Sequence, residues 1–155
     1  IFTLRLGIDP IWVGLIYGSA TLPFLFLSPL AGSFVDRFGA KLPIVVSLFL
    51  TGLSTILFGV SESPYLLFLF SFIAAIGDAI LVPTILASFD TLSSRHFKGR
   101  ISSVVNVVED SGYLLAPLGA GFIAHFFGFS SAFYLFGIFI LAVAVLAFMS
   151  RLDIR

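Results

Sequence analysis

Residues 64–89 read PYLLFLFSFIAAIGDAILVPTILASF, a run interrupted by a single charge, Asp78. A helix rises about 1.5 Å per residue, so about twenty apolar residues cross a hydrocarbon core roughly 30 Å thick, and this run is long enough. Working outward, four more runs have the same character. On the N-terminal side are Ile11 to about Val35, bounded by Asp9 and Asp36, and Leu42 to Val60, bounded by Lys41 and Glu62. On the C-terminal side are Ile101 to about His125, which carries Glu109 and Asp110, and about Ser131 to Ser150, after a break at Gly128 to Ser131. The expected fold class is therefore all-α: a polytopic membrane protein of five transmembrane helices, at about 11–35, 42–60, 64–89, 101–125 and 131–150, embedded in a lipid bilayer. A secretory signal peptide is short, N-terminal and removed, whereas these runs fill the chain.

Composition agrees. Of 155 residues, 59% are hydrophobic and 10% charged, with 20 Phe and a mean hydropathy of +1.18. Ordinary soluble domains carry about 45–50% apolar and about 25% charged residues. Eight Lys and Arg balance eight Asp and Glu, so the basic excess needed to neutralise phosphates is missing and nucleic-acid binding is unsupported. Without cysteine there is no disulfide framework, thiol nucleophile or thiolate metal site. His96 and His125 lack flanking carboxylates, read as solvated or interfacial, and imply no metal; no motif calls for a cofactor. A nucleophile, base and orienting group do not occur together, so an enzyme is not expected.

The loops alternate in charge. Arg37 and Lys41 separate spans one and two, Arg95, Lys98 and Arg100 separate three and four, and Arg151 and Arg155 follow span five. The intervening loops near Glu62 and Gly128 hold no Lys or Arg, and Arg5 alone lies on the opposite side. Short cytoplasmic loops retain basic residues, which predicts an N-terminus outside and a C-terminus in the cytoplasm. An odd span count and a first residue Ile predict that further spans precede this segment. The longest loop, Asp90 to Arg100, is about eleven residues and leaves no room for an extramembrane catalytic domain.

Polar residues inside the spans are the candidates for chemistry. On a helix turning about 100° per residue, Ser102, Ser103, Asn106, Glu109, Asp110 and Tyr113 fall within an arc of roughly 120°, with Pro117 on the same arc. Carboxylates at membrane depth cost at least ~2.5–3.5 kcal/mol each, so this face is expected to line a bundle interior or a water-filled cavity. Asp78 lies about 17 Å in from the cytoplasmic end of span three and Glu109 about 12 Å in from the same side, so the two can share a layer. No Lys or Arg lies inside a span. Such acids are candidates for carrying protons or binding a cation. Gly14, Gly18, Thr21, Ser28 and Gly32 form a small-residue face on span one, where a neighbouring helix is expected to approach closely.

Two motifs carry a family resemblance. Gly32, Asp36, Arg37, Gly39 and Lys41 follow the spacing Gly-x3-Asp-Arg-x-Gly-x-Lys between spans one and two, where Gly39 allows the positive φ of a tight reversal. This resembles the signature loop of the major facilitator superfamily of secondary transporters, and the resemblance implies that Asp36, Arg37 and Lys41 gate the cytoplasmic side. In span four, Gly112, Ala116, Pro117, Ala120 and Gly121 resemble the Gly-x3-Gly-Pro-x2-Gly-Gly motif of drug:proton antiporters, with alanine at two of the glycines. A helix kink and close packing are expected at Gly112, Pro117 and Gly121.

The topology fits spans two to six or eight to twelve of a twelve-span, two-bundle transporter, because the halves are repeats. The runs Gly77 to Pro83, Arg95 to Arg100 and Ser111 to Pro117 look like the C-terminal half of the vesicular amine transporter branch, which favours spans eight to twelve. There the resemblance aligns an acid of the tenth span with Asp78. A second acid, of the eleventh span, aligns with Asn106, so that role is lost or displaced to Glu109 or Asp110. The resemblance implies proton-coupled antiport of cationic or amphipathic organic solutes by alternating access, with Asp78, Asn106, Glu109, Asp110 and Tyr113 handling protons and solute. The preceding helices of the same transporter would complete the path, since five helices cannot enclose it. Two alternatives stay open: a uniporter or symporter of neutral or anionic solutes, and a non-transporting scaffold or receptor of the same fold. Plasma membrane and vesicle or vacuole membrane are equally compatible.

Overall fold

The computed structural model describes residues 7–92 and 98–150. Among the described residues there are five helices and no strand: α1 Pro10–Phe38, α2 Lys41–Val60, α3 Pro64–Leu92, α4 Lys98–Phe127 and α5 Phe129–Met149. The all-α expectation holds, and each helix covers one of the apolar runs. Four of them, α1, α2, α3 and α5, are long and apolar enough to cross a membrane. At 30 residues α4 is long enough, but its charged and polar positions set it apart.

Local chemistry sets the helix ends. Asp9 caps α1, its Oδ1 accepting the Ile11 N–H at 2.8 Å, and Pro10 opens the helix where a missing N–H costs nothing. Helix α1 continues through Asp36 and Arg37, so the charged pair lies in its last turn rather than in the reversal that follows. At 29 residues it is about 44 Å long, more than a hydrocarbon core requires, and polar residues ride on the excess. Gly39, at φ +71°, ends it. The break before α5 shrinks to Gly128 at φ +89°, with Ser130 and Ser131 inside the first turn. Pro23, Pro29, Pro83 and Pro117 all lie within continuous helices, which membrane helices tolerate when neighbours and hydroxyls serve the freed carbonyls.

The helices pack in the order α1, α3, α2, α5, α4, with α4 resting chiefly on α5. Glycine makes the tightest seam. A Cβ added to Gly137 on α5 would stand 2.5 Å from Ile56 Cγ1 and 2.9 Å from the Gly52 carbonyl oxygen, and one added to Gly59 would stand 2.6 Å from Phe133 Cβ. Backbones of α2 and α5 approach to a separation only glycine permits, the usual basis of helix association in lipid. Between α1 and α3 the buried face of α1 is Ile16, Ser19 and Pro23, against Leu67. Ser71 Oγ donates to the Ile16 carbonyl at 3.3 Å, and Trp12 meets Tyr65 edge-on at 4.6 Å.

Among the described residues the small-residue face expected on α1 is not the packed one. A Cβ on Gly14 or Gly18 meets nothing within 4 Å, and Thr21 is exposed. Ile16 and Ser19 lie roughly opposite Gly14 and Gly18 on the helical wheel, so burying the larger residues against α3 turns the small ones outward.

Lys41 reaches the far end of the chain, where its ammonium donates to the Ser150 carbonyl at 2.7 Å and lies 5.7 Å from the Phe148 ring centroid. A cation at the C-terminal end of α5 satisfies an orphan carbonyl and the negative end of the helix dipole. Lys41→Met is expected to destabilise the detergent-solubilised chain by about 1 kcal/mol, seen as a lowered thermal midpoint. An unchanged midpoint would show that the contact contributes nothing.

Candidate functional site

A cleft of about 960 Å³ lies between α3 and α4, closed on one side by Phe24 of α1. From α3 come Asp78, Val82, Ile85, Leu86 and Phe89, and from α4 Val104, Val105, Val108, Glu109 and Tyr113. Apolar walls with a few convergent polar groups, at this volume, are what an organic ligand of drug size requires. Two of those polar groups are carboxyls, one from each wall.

Asp78 is fixed from behind. Its Oδ1 accepts a hydrogen bond from Thr51 Oγ1 of α2 at 3.1 Å. Next to it, Gly77 is buried against α2, where an added Cβ would collide with Thr51 Oγ1 and stand 2.8 Å from the Ser47 carbonyl oxygen. Because the α2 and α3 backbones meet there, the Asp78 side chain starts from a rigid point and reaches the cleft from a half-buried position.

On α4 the polar arc divides. Glu109 and Tyr113 line the cleft with Asp78, and Tyr113 remains 73% exposed. Asn106 and Asp110 are exposed and do not line it. One residue is about 100° of helix, so Asp110 is carried round from Glu109 to a face turned away from α3. A smaller hollow of about 550 Å³ between α4 and α5 is also lined by Glu109 and Tyr113, together with Gly112, Ala116, Pro117, Ala120 and Phe136. Ser103 and Ser111 donate back to the Gly99 and Val107 carbonyls of their own helix. Ser102 has its side chain outside the described residues.

Among the described residues the expected close packing at Gly112 and Gly121 is not seen, since an added Cβ at either meets none of them within 4 Å. The approach of α4 to α5 passes instead by Gly119, whose added Cβ would stand 3.9 Å from Phe136, while Pro117 sits in an unbroken helix.

Of the signature-loop residues, Gly32 and Asp36 belong to α1, with side-chain surroundings outside the described residues. Arg37 is exposed in the last turn of α1, Gly39 makes the reversal, and Lys41 is engaged by Ser150. His96, Arg5, Arg95, Arg151 and Arg155 lie outside the described residues, and the side chains of Lys98 and Arg100 do as well. His125 is exposed, edge-on to Phe126 at 5.0 Å. Among the described residues no group of three His, Asp or Glu is placed to hold a metal ion.

Thr51 and Phe24 were not singled out by the sequence. A signal for Thr51 existed: Ser47, Thr51 and Thr55 recur at four-residue spacing in a mostly apolar run, one hydroxyl stripe along α2.

Comparison with known proteins gives a family match. The profile described as Major Facilitator Superfamily matches residues 1–154. The chain is 28% identical over 128 residues to Multidrug resistance protein 1 of Bacillus subtilis (strain 168), covering 79% of this chain and 33% of that protein. It is 26% identical over 149 residues to Quinolone resistance protein NorA of Staphylococcus aureus, covering 96% of this chain and 37% of that protein. With Multidrug resistance protein 2 of Bacillus subtilis (strain 168), 26% identity extends over 114 residues, 74% of this chain and 28% of that protein. The chain thus spans about a third of the length of the curated relatives it matches.

Proposed function

Because the chain belongs to the major facilitator superfamily, a family of integral multi-pass membrane transporters and not of enzymes, we propose that it forms part of a secondary transporter exchanging protons for cationic or amphipathic organic solutes by alternating access. The observation that carries the reading is the meeting of Asp78 and Glu109, from two helices, in one apolar cleft with Tyr113. No Lys, Arg or His is among the described residues that line it. A carboxyl group in such a place alternates between holding a proton and neutralising a solute cation, and the apolar walls accept the rest of the solute. The names of the relatives, which speak of multidrug and quinolone resistance, support an organic solute.

In this reading α4 crosses the membrane as the fourth of five spans, corresponding to spans eight to twelve of a twelve-span transporter. Further helices complete the path, since five do not enclose one. The alternation of basic loops supports a cytoplasmic C-terminus. Asp110 and Asn106, turned from the cleft, serve the opposite wall of the path. The Gly-x3-Asp-Arg-x-Gly-x-Lys spacing supports a cytoplasmic latch at Asp36 and Arg37, with Lys41 tying that corner to α5.

Transport by the full-length protein in sealed vesicles tests the proposal. An imposed pH gradient is expected to drive uptake of a lipophilic cationic dye, a protonophore to collapse it, and other organic cations to compete more strongly as pH rises. Uptake of neutral or anionic solutes that ignores the gradient would overturn it in favour of a uniporter.

A further inference from the structure

Thr51 holds its hydroxyl between two acceptors on α3, Asp78 Oδ1 at 3.1 Å and the Ala74 carbonyl oxygen at 3.4 Å. A hydroxyl has one proton to donate and lone pairs with which to accept. When Asp78 is ionised it is an acceptor only, and the Thr51 proton belongs on it. When Asp78 carries a proton it has a donor of its own; Thr51 oxygen can accept from it while the Thr51 proton turns to Ala74. The Thr51–Asp78 hydrogen bond is then kept in both protonation states without a shift of either helix.

The surroundings restrict Thr51 to that pair. Gly77 brings the α3 backbone against Thr51, and the hydroxyl faces α3, where Asp78 Oδ1 and the Ala74 carbonyl oxygen are its two acceptors. Among the described residues, the polar groups that share the cleft with Asp78 are Glu109 and Tyr113 of α4, and the apolar Phe24 of α1 closes its side. No described cation stands across the cleft to fix the charge of Asp78 from the other side.

We propose that Thr51 is a positioning residue whose hydroxyl reverses between Asp78 and the Ala74 carbonyl as Asp78 releases and takes up its proton. The inference rests on the proton-exchange reading above. The exchanged proton passes between Asp78 and the cleft, and the Thr51 proton stays on its own oxygen throughout. With one Asp78 oxygen held by Thr51, the other is presented to the cleft, where the proton arrives and leaves, and a half-turn of the carboxyl about its Cβ–Cγ bond carries the protonated oxygen to Thr51.

The test compares Thr51→Val, which removes the hydroxyl at nearly constant shape, and Thr51→Ser, which keeps it, in the full-length protein. Infrared difference spectra taken across a pH titration isolate the carboxyl C=O band of Asp78 as the one missing in Asp78→Asn. That band is expected to move to higher frequency in Thr51→Val and to return in Thr51→Ser. The midpoint of its titration is expected to be displaced by roughly half a pH unit or more in Thr51→Val, and proton-driven dye uptake to fall by about five- to tenfold while solute-for-solute exchange stays within about twofold. Thr51→Ala gives the same comparison if the valine variant does not fold. A band and midpoint unchanged by loss of the hydroxyl, or not restored by serine, overturn the inference. The spectra decide this whether or not uptake follows the pH gradient, so a failure of the transport reading is seen separately, in the wild-type uptake.

Discussion

Asp78→Asn is expected to reduce proton-driven uptake to background while the protein still folds. The substitution keeps the shape of the side chain and an oxygen able to accept from Thr51 at 3.1 Å, so the α2 to α3 contact survives. What it removes is the exchangeable proton and the charge, the two properties on which coupling depends. Solute-for-solute exchange, which moves no net proton, should persist for neutral amphipathic solutes and weaken for cationic ones, whose charge Asp78 neutralises in this reading. Glu109→Gln, acting from the opposite wall of the cleft, should impair coupling, and Asp110→Asn should do so less, since Asp110 does not line it. Gradient-driven uptake unchanged in Asp78→Asn would remove this carboxyl from the mechanism.

The largest structural effect is expected at Gly137. An alanine there places its Cβ 2.9 Å from a backbone oxygen, that of Gly52, and 2.5 Å from Ile56 Cγ1. The Ile56 side chain can turn aside, but the carbonyl moves only with its helix, so α2 and α5 must separate and lose contact along their shared seam. Overpacking of this kind costs about 1–3 kcal/mol, a fall of several degrees in the thermal midpoint of the detergent-solubilised chain. Gly14→Ala is the comparison. Its Cβ meets nothing within 4 Å, and replacing a helical glycine favours the helix by roughly 0.5–1 kcal/mol, so the midpoint should hold or rise. Equal midpoints for Gly137→Ala and wild type would show that the seam has slack.

The helices were legible because bilayer thickness imposes a length and an apolar composition that local sequence must display, as residues 64–89 do. Gly39 was legible for a related reason, a reversal between two apolar runs requiring a residue free to adopt positive φ. Asp78 and Glu109 stood out as charges where charge is expensive. Pairing across helices was not legible. Gly52 and Gly137 are ordinary glycines until α2 and α5 are side by side, and the stripe at Gly14 and Gly18 looks like a better packing face than Ile16 and Ser19, which α3 in fact covers. The arc on α4 was correct as periodicity, yet periodicity does not say which edge of an arc a neighbour faces, and α3 faces the edge with Glu109 rather than Asp110. Helix α1 overran its apolar run because hydrogen bonding within a helix does not stop where hydrocarbon does.

The single residue between α4 and α5 bears on how this chain enters a membrane during synthesis. In the five-span reading, α4 must carry Glu109 and Asp110 into lipid at ~2.5–3.5 kcal/mol each, and on its own it is a poor substrate for insertion. Gly128 joins it to α5 with no intervening loop, and α5 is rich in Phe, Leu, Ile and Val, each favouring insertion by ~0.3–0.6 kcal/mol. In that reading the two are expected to insert together as a hairpin, α4 waiting for the segment that follows it. Lengthening the Gly128 turn with polar residues would uncouple the pair and strand α4 outside the bilayer, a failure of biogenesis arising at a position that touches neither solute nor proton.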